Sequence, residues 1–322
     1  MALARGLEAL WASATGRSEC VPLTIADRIL LDSLGVGLDQ MLNMLRTTTP
    51  DYAQFEAWIL AVSGQPNAER IARYHAWLDG AEPPEETRNR LAAIEAMPDV
   101  FDAEALDHWE ENGFVVLESA ISTAEAKAAE ERLWQAAGVA PEDREAWWGA
   151  NRQDGILIQH FCDAELDAAR HSPRVHKAFA QLWGTVDLWA KVDRMSFNPP
   201  VPPGQTWQGR GLHWDVSLVR PIPFATQAIL YLTDTPANQG ATLVVPGFHR
   251  RLYSWLDSLG DVDPRTVDLS AEAVPVQARA GDLVIWRHDL PHAASPNHAA
   301  QPRIAQYINM YSAALTESPV WR

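Results

Sequence analysis

The sequence predicts a mainly β fold with helices, a sandwich or barrel of short strands over residues 98–322 preceded by a helical extension over residues 1–97. Three observations predict it. From Ala2 to about Asp79 apolar residues recur at helical spacing, whereas after Trp183 short apolar runs alternate with clusters of Pro, Gly, Asn and Asp. At 322 residues the chain is long enough to bury a substantial core.

In the extension the helical faces are Ile25, Ile29, Leu30 and Leu34, then Met41, Leu42 and Leu45, then Phe55, Trp58, Ile59 and Val62. Thr24 and Asp51 stand where N-caps belong. Residues 80–87, Gly-Ala-Glu-Pro-Pro-Glu-Glu-Thr, read as a polar turn, and a boundary is placed near Pro98. Residues 103–112 read as a short helix leading into Gly113-Phe114-Val115-Val116-Leu117, the first strand. Ser122, with Glu125 three residues on, opens an amphipathic helix to residue 137. Strand-like runs follow at residues 186–197, 227–232, 241–245, 274–278, 282–286 and 304–311. There is no internal repeat and no low-complexity tract.

Composition narrows the function. Lysine and arginine number 26 against 42 aspartates and glutamates, a net charge of −16 that argues against nucleic acid or an anionic membrane as the main partner. Two cysteines, Cys20 and Cys162, build no disulfide framework, and the opening segment reads as amphipathic rather than as an export signal, so a reducing cytoplasmic location is expected. Cys162 has no cationic sequence neighbour that would make it reactive. Fourteen tryptophans mean a thick core or a pocket for an apolar substrate.

The chemistry centres on His213-Trp214-Asp215. With ten histidines and 22 aspartates in 322 residues, chance alone supplies about 0.7 such triplets, so context must carry the signal. In a strand, residues two apart face the same side, which puts an imidazole and a carboxylate next to one metal ion. His108-Trp109-Glu110 is nearly the same triplet in a helical stretch, where the two side chains diverge, and is set aside. A histidine from a neighbouring strand would complete a two-histidine, one-carboxylate face of the kind that binds iron(II) and leaves positions open, and His288, His292 and His298 are the candidates. Pro291 prevents a regular helix from joining His288 to His292. Arg303, in the strand after His292, can grip a carboxylate bidentately, and Tyr307 and Asn309 share its face. His249 follows a Pro-Gly turn and is expected to be structural. Trp214 should face away from the histidine and aspartate into the core, while Trp189, Trp207 and Trp286 belong either to core or to a pocket wall.

Together these pieces resemble the phytanoyl-CoA dioxygenase-like branch of the iron(II)- and 2-oxoglutarate-dependent oxygenases. The matching segments are Gly113-Phe114-Val115-Val116-Leu117, His213-Trp214-Asp215, Asn238 to His249, Ala280-Gly281-Asp282-Leu283, and His292 followed by Arg303, in the family's order between about Phe101 and Tyr311. The resemblance implies a double-stranded β-helix, the jelly-roll or cupin-like barrel, and a dioxygenase using iron(II), 2-oxoglutarate and dioxygen. It implies that His213, Asp215 and His292 are the catalytic metal ligands and that Arg303 pairs with the distal carboxylate of 2-oxoglutarate. It further points to Arg194 and Ser196 as cosubstrate contacts. Where the family often has a serine two residues after the distal histidine, this chain has Ala294, with Ser295 next to it. Retention of Asp215, which halogenating relatives replace, favours hydroxylation or a related oxidation. Residues before Phe101 match nothing in the family.

Two other classes fit less well: a cupin-type metal-dependent isomerase or binding module, which has no need of Arg303, and a catalytically silent relative acting as an interaction protein, against which the intact ligand set counts. The expected substrate is a neutral or zwitterionic metabolite of a biosynthetic pathway, because the adjacent pair Arg250-Arg251 is too small a basic patch for a phosphate-rich acyl carrier. A homodimer contact and a pocket lid are both open roles for residues 1–95.

Overall fold

The computed structural model describes residues 3–207, 209–316, 318 and 320–322. Met1 and Ala2, the start of the first helical stretch, lie outside the described residues. The extension forms α1 (Leu7–Ala14), α2 (Ile25–Ser33), α3 (Leu38–Thr48), α4 (Tyr52–Ser63), α5 (Ala68–Leu78) and α6 (Glu85–Glu95). Thr24 and Asp51 cap α2 and α4 in reciprocal boxes, the side chain of each accepting from the amide three residues on while Asp27 and Gln54 accept from the cap amides. Ile29, Leu30, Met41, Leu45, Phe55 and Ile59 are buried, so the apolar stripes face inward. The helix α6 corrects the reading of residues 80–87 as a turn throughout: Pro84 sets the entry angle, and Glu85 and Glu86 fill the first turn, where negative charge meets the helix dipole.

The chain continues through α7 (Ala103–Asn112), β1 (Phe114–Leu117), α8 (Thr123–Ala137) and β2 (Leu157–Ile158), then α9 (Ala164–Arg170), α10 (Pro173–Trp183) and β3 (Trp189–Lys191). There follow β4 (Met195–Asn198), β5 (Thr226–Tyr231), β6 (Thr242–Val244), α11 (Phe248–Ser258), β7 (Val274–Val276), β8 (Leu283–Arg287), β9 (His292–Ala294), β10 (Arg303–Tyr307) and β11 (Asn309–Tyr311). Two expected strands are each divided. Residues 186–197 give β3 and β4, and residues 304–311 give β10 and β11, because β3 pairs with β11 whereas β4 pairs with β10. At the first break the Val192 amide leaves the ladder and donates to the Asp32 carboxylate at 2.7 Å.

The chain forms two compact units. One comprises Met1–Pro98, Phe161–Asp193 and Met310–Ala314 and contains the front helices, α9, α10 and β3. Asp32 ties it together, accepting from the Val192 amide and, at 2.6 Å, from the Tyr311 hydroxyl. Trp189 is buried here under the Arg73 guanidinium, 3.8 Å from the ring centroid.

The second unit comprises Asp99–His160, Arg194–Asn309 and Leu315–Arg322. Its strands make the two sheets of a jelly roll: a six-stranded antiparallel sheet in the order β1-β8-β5-β10-β4-β2 and a three-stranded one in the order β7-β6-β9. Register places Gln227 opposite Trp286, Ile229 opposite Val284, and Ala305 opposite both Tyr231 and Ser196, so these residues share the inner face of the large sheet with Arg303 and Tyr307. Tyr231 crosses to the small sheet, its hydroxyl accepting from the Thr242 amide at 2.9 Å and donating to the Val276 carbonyl at 3.1 Å. The outer face is covered by α8, where Trp134 meets Phe197 edge to face. No helix among the described residues is long and apolar enough to cross a membrane.

Candidate metal centre

The fold brings His213, Asp215 and His292 together, with one ligand atom from each lying within 4.8 Å of the others. His292 opens β9, whose pairing with β6 puts it opposite Val244. His213 was expected in a strand, and here the local structure differs: it forms a single bridge on the free edge of β9, its amide and that of His292 each donating to the other's carbonyl at 3.0 Å. Beyond the bridge the chain bends rather than continuing the ladder, since Trp214 turns into the core and donates from its indole to the Asp289 carbonyl at 3.0 Å. Asp215 then emerges on the side of His213.

The hydrogen bonds of the two rings decide what they can do. His213 Nδ1 lies 2.8 Å from the Gly211 carbonyl and His292 Nδ1 lies 3.1 Å from that of Leu290. A carbonyl oxygen only accepts, so each Nδ1 carries the hydrogen and each Nε2 of a neutral ring presents a lone pair. Those nitrogens face the Asp215 carboxylate at 3.5 Å and 3.4 Å. Three acceptors turned toward one another repel unless a cation lies among them, and the donor set fits a divalent transition metal. Burial, reinforced by the neighbouring His292, lowers the pKa of His213 and favours its neutral, ligating form. Burial acts to raise the pKa of Asp215, but His292 and His213 in their protonated forms, together with the Gln227 amide, hold it well below the usual carboxylate range; with both rings neutral, of these only the Gln227 amide still favours the anion.

Two further residues border this centre: Gln227, which the motifs passed over, and Trp286, which the sequence left between core and pocket wall. Gln227, which precedes the apolar run of β5, donates to Asp215 Oδ2 at 2.8 Å. Its cross-strand neighbour Trp286 is buried with its ring centroid 5.3 Å from that of His292. A lone amide at the start of a strand was the available signal, weak without knowing which strand lies beside Asp215.

Arg303 is 1 % exposed and donates from Nε to the Gly240 carbonyl at 3.1 Å and from Nη1 to Ser196 Oγ at 2.9 Å. Among the described residues no carboxylate lies within salt-bridge distance of it. A buried guanidinium without a counter-ion costs several kcal/mol, so the inner face is suited to an anion, and a planar fork suits a carboxylate best. Gly240 allows this approach: it sits at φ 71°, and a Cβ there would lie 2.2 Å from Asn198 Nδ2. Arg194 precedes β4 on the face of Ser196, and burial lowers its pKa while Tyr307 and Asp215 act in the opposite sense.

The remaining candidates fall elsewhere. His288 Nε2 bonds the Pro223 carbonyl, and His298 is exposed, its amide bonded to the Asn238 carbonyl. His249 Nε2 bonds the Glu110 carbonyl at 3.1 Å, a structural contact as expected. Asn309 is engaged with Thr226 through both ends of its amide. Ser295 is buried in the turn after β9, and its carbonyl accepts from Asn198. Trp207 packs over Gly209. Burial pushes the Cys162 thiol up to about 11, an unreactive setting.

Comparison with known proteins agrees with this architecture. The family model described as phytanoyl-CoA dioxygenase (PhyH) matches residues 109–305. Ectoine dioxygenase from Bordetella bronchiseptica is 24% identical over 243 residues, covering 69% of this chain and 79% of the relative. Dioxygenase af480 from Aspergillus fumigatus is 29% identical over 218 residues, covering 66% of each. The crystal structure of GlcNAc Inducible Gene 2 from Candida albicans superposes with a TM-score of 0.50 at 13% identity, covering 70% of this chain and 69% of that one, a likeness of fold.

Proposed function

The chain belongs to the phytanoyl-CoA dioxygenase family and is a 2-oxoglutarate-dependent dioxygenase, and from that premise we propose that it hydroxylates or otherwise oxidises a small-molecule metabolite, releasing succinate and carbon dioxide. The observation that carries this reading is the convergence of two hydrogen-free imidazole nitrogens on the Asp215 carboxylate. His213, Asp215 and His292 would hold iron(II), which with 2-oxoglutarate and dioxygen supplies an oxidation strong enough to break a carbon–hydrogen bond. For hydroxylation the atoms balance as substrate, 2-oxoglutarate and dioxygen giving hydroxylated substrate, succinate and carbon dioxide.

The chain's own part is positional. Gly211 and Leu290 carbonyls fix the tautomer and tilt of the two rings. Arg303, oriented by Gly240 and Ser196, would grip the distal carboxylate of 2-oxoglutarate, with Arg194 adding positive charge on the same face. Trp286 and the apolar residues beside it keep water from one side of the centre. Binding of a dianion by a chain of net charge −16 then depends on this local positive charge rather than on the overall field.

We favour a neutral or zwitterionic substrate. Of the adjacent pair Arg250-Arg251, Arg251 is already paired with Glu272 and lies over the Phe248 ring, which leaves little for the phosphates of an acyl carrier. A relative named for the small molecule ectoine supports the same substrate size. The test is succinate formation from 2-oxoglutarate by protein loaded anaerobically with iron(II) and then exposed to dioxygen, across a metabolite panel. Substrate-stimulated succinate, lost in His213→Ala, is expected. Iron binding without any succinate would instead indicate a cupin-like binding module, and neither would indicate an interaction protein.

A further inference from the structure

Residues 214–218, which carry Asp215, belong to no strand, so their carbonyls need partners from outside a ladder. Arg265, in the short 3-10 turn Pro264–Thr266, provides partners for two of them. Its Nη1 donates to the Trp214 carbonyl and its Nη2 to the Val216 carbonyl, both at 2.7 Å, so that one planar guanidinium straddles Asp215. The guanidinium is itself held. Its Nε and Nη2 also donate to the Arg322 carbonyl at 3.2 Å and 2.9 Å, and the Trp321 ring lies 4.7 Å from its centre. The same Arg322 carbonyl accepts from the Leu218 amide at 3.2 Å, and the Ser217 hydroxyl donates to the Val320 carbonyl at 2.6 Å.

The Asp215 side chain is 46% exposed, so packing alone does little to aim it. Gln227 bonds Oδ2, the exposed Arg210 guanidinium lies 4.0 Å from Oδ1, and the backbone on either side is the remaining constraint on its direction. We propose that Arg265 is a positioning residue: by clamping the carbonyls before and after Asp215 it fixes the direction in which the carboxylate meets His213 and His292. The inference rests on reading those three residues as the metal ligands. Only a rigid fork with several donors in one plane can bridge two carbonyls in this way, and a lysine ammonium, a point charge on a flexible stem, cannot reproduce it.

The test is titration of the whole chain with cobalt(II), read both as affinity and as the visible absorption spectrum, which reports ligand geometry. Urea midpoints are measured alongside. Arg265→Gln should weaken cobalt binding by about 10–100-fold, the usual effect of losing a group that orients a ligand, and should change the spectrum. Arg265→Lys should behave similarly while keeping the charge, and it carries the test should the glutamine variant not fold. Leu133→Ala, a cavity on the buried face of α8, controls for stability; it should lower the urea midpoint and leave affinity and spectrum unchanged. Wild-type affinity and spectrum in both Arg265 variants would overturn the proposal. So would an equal loss in Leu133→Ala, which would make the effect one of stability. A wild-type chain that binds no cobalt would overturn the metal centre and this inference with it.

Discussion

His213 and His292 are joined back to back: each amide donates to the other's carbonyl at 3.0 Å, and their ring centroids stand 4.7 Å apart. The bridge makes the two proposed ligands a rigid pair independently of any metal, leaving Asp215 as the member of the candidate centre whose direction is set by neighbours. Preorganisation of this kind concentrates sensitivity in the contacts around Asp215 and in the anion site on the large sheet.

Arg303→Gln should separate cosubstrate binding from metal binding. Loss of a charge-assisted, bidentate grip is worth about 3 kcal/mol, or about a 100-fold weaker affinity for 2-oxoglutarate. Titration of 2-oxoglutarate into manganese-loaded protein measures it, and manganese affinity itself should stay at the wild-type level. Unchanged 2-oxoglutarate affinity would remove Arg303 from the site.

Gln227→Leu keeps the bulk of the side chain but removes the donor to Asp215 Oδ2. Metal affinity is expected to fall about 10-fold, at the lower end for a group that orients a ligand. Isothermal titration with manganese(II) reads this directly. An affinity equal to wild type would show that the main chain alone aims the carboxylate.

Gly240→Ala should destabilise the fold by about 2 kcal/mol or more, since the position has φ 71° and the added methyl group meets Asn198 Nδ2. Asn198 would have to give up its 3.1 Å bond to the Ser295 carbonyl. A lower urea midpoint at unchanged slope is the expected result. Because the Gly240 carbonyl also orients Arg303, weaker 2-oxoglutarate binding should accompany it.

Asp32 predicts a pH dependence in the other unit. Burial raises its carboxyl from the ordinary 3.8 to about 6, the bonds from Tyr311 and Val192 only partly opposing the shift. Below about pH 4 the group is protonated in both states and its contribution to stability is fully present. As pH rises toward about 6 the unfolded chain ionises first, and stability is lost, by about 3 kcal/mol once neutrality is passed. Asp32→Asn should remove that decline, so the difference in urea stability between variant and wild type should grow in the variant's favour from pH 4 to pH 7. A difference that does not vary with pH would show that Asp32 is ionised normally in the folded chain.

Local rules were legible wherever a feature depends on near neighbours. The caps at Thr24, Asp51 and Ser122 follow from side chains three residues apart, and α2, α3 and α4 follow from their apolar spacing. The helix α6 was hidden because Pro83 and Pro84 mark a turn and, equally, a helix entry. The divided strands were hidden because a continuous apolar run does not say that its two halves pair with different partners.

By itself the sequence determined the chemistry on offer: two imidazoles and a carboxylate able to bind a metal, an arginine able to bind an anion, and a net charge unsuited to polyanions. Only the tertiary structure decided how these are used. It made His213 an edge bridge rather than part of a strand, turned both Nε2 atoms toward Asp215, and brought the Gln227 amide to that carboxylate and the Arg265 guanidinium to the carbonyls on either side of it. The physical reason is range. Periodicity and capping are fixed by interactions within a few residues, whereas the aim of a ligand is fixed by hydrogen bonds across sheets and loops, which exist only after the two faces of the jelly roll have packed.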